Sequence, residues 1–321
     1  MLWLDEAPTH VTPDSFGTFR GPVASSKLDA VARAEGVGRF GRVAREKRWQ
    51  WFAVIGERVA AGGAIVRTGY ASRAFFWAFE DGKLIVDEEV TLPRMAATVT
   101  DTPGRGTLAQ LKWGRSRASI VRASNDVEVS VSLGKLELAA TIDVGALTEA
   151  TAICPVTGGG TNLTQKSAGH PARGVVRLGS RSLSFGADAV GMLDYTHGLM
   201  ARRTDWLWAI GAAPGDTPLA FNLISGFNQD LESVAWIGPE PRALSPATFE
   251  FDPADDLSPW RVRGADGDYD LTLTPSDARR DDTNLGLVSS RYSMPLGRWS
   301  GTLLDHPFEG RGVAEDHSAV W

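Results

Sequence analysis

The sequence predicts an all-β protein of two antiparallel β-barrel or sandwich units with little helix. Val127, Val129, Val131 and Leu133 alternate strictly with Glu128, Ser130 and Ser132, the period of a strand with one face in the core and one in water. Asp81-Gly82 and Asp266-Gly267 each stand between two strand-like runs, where Asp-Gly closes a hairpin because both residues tolerate positive φ. Many short strands separated by such turns mean a sandwich or a barrel. Strands lie on both sides of a glycine-rich stretch at 155–172. That stretch is the expected boundary or long connection, giving an N-terminal unit over 1–160 with an irregular lead-in and a C-terminal unit over 161–321.

Taken in order, residues 1–26 carry several Pro and Gly and read as irregular chain. Residues 26–34 are the one helix candidate, with Ser25 or Ser26 as cap, Leu28, Val31 and Ala32 as apolar face, and Gly36 as stop. From Lys47 the pattern turns to β. Trp49, Trp51, Ala53 and Ile55 alternate with Gln50, Phe52 and Val54. Strands are expected at 59–68, 74–80, 84–86, 107–113, 118–123, 127–133 and 136–144. In the second half Gly179-Ser180 turns a hairpin between 175–178 and 181–185. Strands at 206–210, 219–224, 234–237, 248–251, 260–263, 269–274, 287–294, 298–304 and 313–321 follow.

Composition excludes several classes of function. Of 321 residues 43% are hydrophobic and 22% charged, enough apolar content for a sizeable core and too much for a disordered chain. The net charge of -6, with both signs mixed throughout, argues against a nucleic-acid surface, which needs a concentrated basic field. The arginines at 39–48 and 173–181 are interrupted by Gly and apolar residues and read as solvated strand or loop faces. Cys154 is the single cysteine, so no intramolecular disulfide forms, and its apolar flank suggests a buried, inert thiol. The N-terminal residues lack the basic and apolar regions of a signal peptide, and no apolar run is long enough to span a membrane. The expected compartment is the cytoplasm.

Five histidines stand at 10, 170, 197, 306 and 317 without H-x-H or H-E-x-x-H spacing, so no metal site is expected. Gly158-Gly159-Gly160 is followed by neither Lys-Ser/Thr nor a helical pattern, so it is no phosphate loop, and no cofactor is expected. G-x-S-x-G is absent. What remains is acid–base chemistry. Gly191 to Gly211 packs Asp194, Tyr195, His197, Arg202, Arg203, Asp205, Trp206 and Trp208 into one short span. Asp194, His197 and Glu232 are the candidate acids and bases and Arg203 an anion clamp or orienting group, if the fold brings them together. Tyr195, Arg202, Trp206, Trp208, Asn222, Asn228 and Trp236 are the candidate ligand contacts, since pockets are aromatic with few polar groups. The bland alternative is a buried hydrogen-bond network that fixes a strand crossing.

D-Y-T-H-G-L-M-A-R-R-T-D-W-L-W-A at 194–209 resembles the central signature of an uncharacterised family known as DUF2804. K-R-W-Q-W-F at Lys47, N-L-T-Q-K at Asn162, F-N-L-I-S-G-F at Phe221, P-W-R-V at Pro259, G-R-W-S-G-T at Gly297 and A-E-D-H-S-A-V-W at the end match it too. More remotely, D-x-x-H-G followed by W-x-W is similar to carotenoid hydratases and related AttH-like, lipocalin-like proteins. That resemblance implies two lipocalin-like units and an apolar pocket, with Asp194 and His197 where acid–base chemistry occurs. The expected function is binding of an apolar small molecule, lipid or terpenoid-like, in a barrel or inter-unit pocket. Hydratase, isomerase or cyclase chemistry is the possible addition, and a non-catalytic carrier or structural protein the alternative.

Overall fold

The computed structural model describes residues 4–215, 218–229, 231–284, 286 and 288–321. Among them the architecture is almost entirely antiparallel β, in two sheets. The larger sheet holds fifteen strands. Its main path runs Lys83–Pro93, Ala71–Glu80, Val59–Thr68, Glu46–Ile55, Val190–Leu199, Thr161–Leu178, Leu136–Asp143, Asp126–Leu133, Ser116–Arg122, Leu108–Trp113 and Ala97–Val99. It curls, so that its last strand, Ala97–Val99, packs against Val59–Thr68. The smaller sheet holds nine strands. It runs Pro241–Ala243, Val234–Ile237, Leu219–Ser225, Arg203–Ala213, His306–Val320, Ser289–Leu303, Tyr269–Asn284, Trp260–Gly264 and Ala247–Glu250, and curls likewise. No helix among the described residues is long and apolar enough to cross a membrane.

The alternation read from the sequence sorts side chains into three apolar layers. Val127, Val129 and Val131 point into the concave side of the larger sheet, packed with Phe52, Phe76 and Leu193. Phe221, Trp260, Leu271 and Trp299 fill the smaller sheet. Between the sheets lies a third layer with Trp51, Trp77, Met192, Trp208, Trp236 and Met294. Residues of opposite parity on one strand serve different layers, because successive side chains of a strand point to opposite faces. Met192 thus lies between the sheets while Leu193 lies inside the larger one.

The Asp-Gly turn at 81–82 forms as expected, with φ of 48° at Asp81 and 75° at Gly82, the left-handed pair of a type I′ hairpin. Four local expectations give way. Residues 155–172 form no linker. The strand Ala150–Pro155 pairs with Thr161–Leu178 across the glycine-rich turn, inside the larger sheet. The chain changes sheet instead at 200–202, in the middle of the polar stretch, where Val190–Leu199 ends and Arg203–Ala213 begins. The arginine segment at 39–48 is not a strand or loop face throughout, since Arg39–Arg45 is a helix. None of its residues is buried, so it carries no apolar periodicity to betray it. The expected helix forms over Asp29–Ala34, with Val31 and Ala32 buried, but no side chain caps it. The hydroxyl of Ser26 is engaged elsewhere. Leu287, first residue of an expected strand, lies outside the described residues, and the strands expected at 287–294 and 298–304 are one, Ser289–Leu303.

Candidate functional site

In the layer between the sheets the apolar packing opens into a cavity. Trp49 and Trp51 come from Glu46–Ile55 and Trp206 and Trp208 from Arg203–Ala213. Each pair sits two residues apart on a strand, so both rings share a face. Trp49 stacks over Trp206 with centroids 6.5 Å apart, and Trp51 meets Trp208 edge-on at 5.2 Å. The tryptophans therefore bridge the sheets. The cavity has a volume of about 110 Å³.

One end of the cavity is ionic. Lys166 and Asp194 are directly opposite on the paired strands Thr161–Leu178 and Val190–Leu199. The Lys166 ammonium is 2.9 Å from Asp194 Oδ2 and 2.9 Å from Glu232 Oε1. Glu232 follows Leu219–Ser225 in the smaller sheet's connecting loop, so this triad ties the two sheets together. Asp194 also accepts from Trp49 Nε1 at 3.0 Å, Thr196 Oγ1 at 3.1 Å and Thr164 Oγ1 at 3.3 Å. Glu232 Oε2 accepts from Asn228 Nδ2 at 2.6 Å. Its Oε1 makes no well-directed hydrogen bond, so the contact with Lys166 is an ion pair by proximity. Burial pushes the Glu232 carboxyl up, and the neighbouring Asp194 adds to this, against the pull of Lys166. Burial opposes the charge on Lys166, but the two carboxylates outweigh it and hold the ammonium above its ordinary value.

A second polar group faces the cavity from the smaller sheet. Glu315 and His317, two apart on His306–Val320, share the face that Val313 presents to the inter-sheet layer. Trp206 Nε1 donates to Glu315 Oε1 at 2.6 Å, and His317 Nε2 lies 3.0 Å from Ser290 Oγ. Tyr292 stands beside them, its hydroxyl without a well-formed partner and its phenol pushed well up by burial. Farther along, Arg279 lies over the ring of Phe75, 4.6 Å from its centroid, and pairs with Asp87 at 2.9 Å and Glu89 at 3.1 Å. Among the described residues no group of three or more His, Cys, Asp or Glu is arranged to hold a metal ion.

Four expected site residues line the cavity: Asp194, Glu232, Trp206 and Trp208. Asn222 and Asn228 stand behind it. Asn222 accepts from Trp208 Nε1 at 2.7 Å, and Asn228 holds Glu232. The rest lie elsewhere. His197 and Tyr195 sit on the opposite face of their strand from Asp194, so Asp194 and His197 form no pair. An offset of three residues joins side chains on a helix and separates them on a strand. His197 Nδ1 lies 3.1 Å from Ser26 Oγ, its Nε2 3.1 Å from Arg48 and 3.3 Å from Glu46, and Ser26 Oγ is 2.6 Å from Tyr195 OH. This is a buried network that docks the segment before the first helix onto the sheet. Burial lowers the imidazole of His197. Arg203 is exposed and pairs with Asp205 at 2.8 Å, Arg202 is exposed beside Trp321, and Trp236 is solid core, donating to the Thr148 carbonyl. Replacing His197 by Gln should therefore cost about 1–2 kcal/mol in a urea melt, for the partners it leaves unpaired, without changing what the cavity binds. An unaltered stability would contradict the network.

Lys166, Glu315, His317 and Tyr292 were not among the expected site residues. Two signals point to the first three. Lys166 ends the motif N-L-T-Q-K, and Glu315 and His317 stand two apart in A-E-D-H-S-A-V-W, the spacing that puts side chains on one face of a strand.

No curated protein matches the sequence. Solved structures do match the fold. Kievitone hydratase from Nectria haematococca shares 10% identity at a TM-score of 0.59, over 99% of this chain and 98% of its own. CghA, solved with Sch210972, shares 14% at a TM-score of 0.58, over 86% and 88%. An AttH-like protein from Nitrosomonas europaea shares 15% at a TM-score of 0.53, over 84% and 92%. At such identity the likeness is one of fold, the two-unit lipocalin-like architecture. The family is set by the sequence itself: a model described as a domain of unknown function, DUF2804, matches residues 10–321, and the chain belongs to that family.

Proposed function

We propose that the protein binds a largely apolar small molecule between its two sheets and acts on it by proton transfer, as a hydratase, isomerase or cyclase does. One observation carries this reading. A cavity walled by tryptophans from both sheets ends in a buried ionisable triad, Lys166, Asp194 and Glu232. Apolar walls with a few convergent polar groups are the usual make-up of a ligand site. Ionisable groups moved from their ordinary pKa are the usual agents of acid–base catalysis. Glu232 is the proposed proton donor, because a carboxyl raised by burial holds its proton closer to neutrality. Lys166 and Asp194 position it. Tyr292, kept as a neutral phenol, offers an O–H to an oxygen of the ligand. The name of one neighbour, a hydratase, points the same way. The alternative, a carrier without chemistry, draws on the saturation of Asp194 by Lys166, Trp49 and two threonines, as in a structural tie.

Native mass spectrometry of protein purified without detergent should show a co-purifying lipophile. Incubating that molecule with the protein in isotopically labelled water should place the label on it, and Glu232→Gln should bind it without labelling it. A bare protein mass, with unchanged tryptophan fluorescence across a panel of terpenoid and polyketide-like compounds, would sink the reading. Binding without label transfer would favour the carrier.

A further inference from the structure

The ligand's charge is written in the cavity's ion pairs. This step rests on the cavity reading above and narrows it. Three cations line the cavity, Arg73, Lys166 and Arg279, and each is already neutralised. Arg73 pairs with Asp281 at 2.5 Å and Glu89 at 2.7 Å. Lys166 has Asp194 and Glu232, and Arg279 has Asp87 and Glu89. Against these three, four carboxyl groups face the same space: Asp194, Glu232, Asp281 and Glu315. Lys47, on the same strand as Trp49, does not alter the balance. Its ammonium donates to the Ala44 carbonyl at 2.6 Å and is covered by the rings of Tyr70 and Trp321.

An anionic head group entering this space would thus be desolvated beside carboxylates with no uncommitted lining cation to receive it, which is costly. Arg73 Nε and His317 Nδ1 lack a well-formed hydrogen bond, but Arg73 is held by Asp281 and Glu89 and His317 Nδ1 faces Glu315 at 3.7 Å. Several other buried polar atoms of lining residues make no well-formed hydrogen bond within the protein. Trp51 Nε1 can only donate, Asn162 Oδ1 can only accept, and the Tyr292 hydroxyl can do either. They come from both sheets, and each suits an uncharged oxygen function. From this juxtaposition we propose that the cavity selects uncharged lipophiles bearing hydroxyl, phenol or carbonyl groups, and discriminates against carboxylates, sulfonates and phosphates.

The test is a matched pair of probes on the wild-type protein. N-phenylnaphthylamine and anilinonaphthalene sulfonate share one ring skeleton and differ by a sulfonate. Both are read by energy transfer from the tryptophans that wall the cavity. The neutral probe should bind with a Kd at least tenfold lower, and its signal should fall in Trp208→Ala, which removes a wall. In Asp281→Asn, which releases Arg73 from one carboxylate, the sulfonate should gain at least threefold while the neutral probe holds. A difference under tenfold in the wild type, or a preference for the sulfonate, overturns the charge selection and leaves the cavity reading intact. Binding of neither probe overturns the cavity reading itself and the selection with it.

Discussion

Acidification should cost the wild-type protein about 2–3 kcal/mol more between pH 6 and pH 4 than it costs a His170→Leu variant. His170 is fully buried, next to the bulge at Gly169, and neither ring nitrogen makes a well-formed hydrogen bond. Burial, helped by the charge of Arg122, lowers its pKa from the usual 6.5 to about 3. The native state therefore binds fewer protons than the unfolded chain wherever the pH lies between those values. Stability contributed by the neutral imidazole is fully present above about pH 6.5 and is lost as pH falls toward 3, by roughly 1.4 kcal/mol per unit. Carboxylates such as Glu46, held down at about 2 chiefly by its hydrogen bond to His197, lose stability in acid as well. They do so in both proteins and cancel in the difference. Urea unfolding at pH 7, 5.5 and 4 measures it. Parallel losses in the two proteins would show that His170 is protonated in the native state.

Most of the fold could be read from the sequence, because a strand with one face in a core writes its own period. Val127 to Leu133 is legible in this way, and so is the hairpin at Asp81-Gly82. What could not be read is which strands pair. Residues 155–172 look like a linker because four glycines, three of them consecutive, and two prolines stand in them, yet the consecutive glycines lie in the turn of a hairpin between two strands of one sheet. With that segment misread, Lys166 could not be placed opposite Asp194, a neighbour set by register across the sheet. Asp194, His197 and Arg203 form a dense polar cluster in the sequence, but density along a strand does not bring side chains together. Along a strand the cluster divides by parity. Asp194 and Thr196 face the cavity, Tyr195 and His197 face the core of the larger sheet, and Arg203 lies in the other sheet, in water. The same parity, applied to Glu315 and His317, would have found them.

The polar crossover also explains why function and fold share residues. The chain passes between sheets at 200–202, so the two strands on either side send side chains into one inter-sheet layer from opposite walls. Trp206 and Trp208 follow the crossover and Asp194 and Thr196 precede it. Closing the two sheets on each other is what builds the cavity. The buried charges at its end are held by groups from both sheets, so the site cannot form before the sheets dock.

That dependence gives the largest effect. Lys166→Met should lower stability by about 3–5 kcal/mol, the cost of leaving buried carboxylates without their cation. Lys166, Asp194 and Glu232 are all nearly inaccessible to solvent, so water cannot replace the missing charge. Asp194 keeps the donors Trp49, Thr164 and Thr196, whereas Glu232 keeps only Asn228, so the strain falls chiefly on Glu232. Two consequences separate this from a simple packing defect. Adding Glu232→Gln to Lys166→Met should recover part of the loss, because it removes one of the two uncompensated charges. The defect should also shrink in acid. Glu232 titrates above its ordinary range already, and losing Lys166 raises it further. A carboxyl whose native pKa is raised gives stability that is present at low pH and lost as pH climbs through that value. The variant should thus be closest to wild type near pH 5 and farthest from it near pH 8. Urea melts of wild type, single and double variants across that range decide the matter. A loss under about 1 kcal/mol, or no recovery from the second substitution, would mean that the triad is not the ionic tie between the sheets.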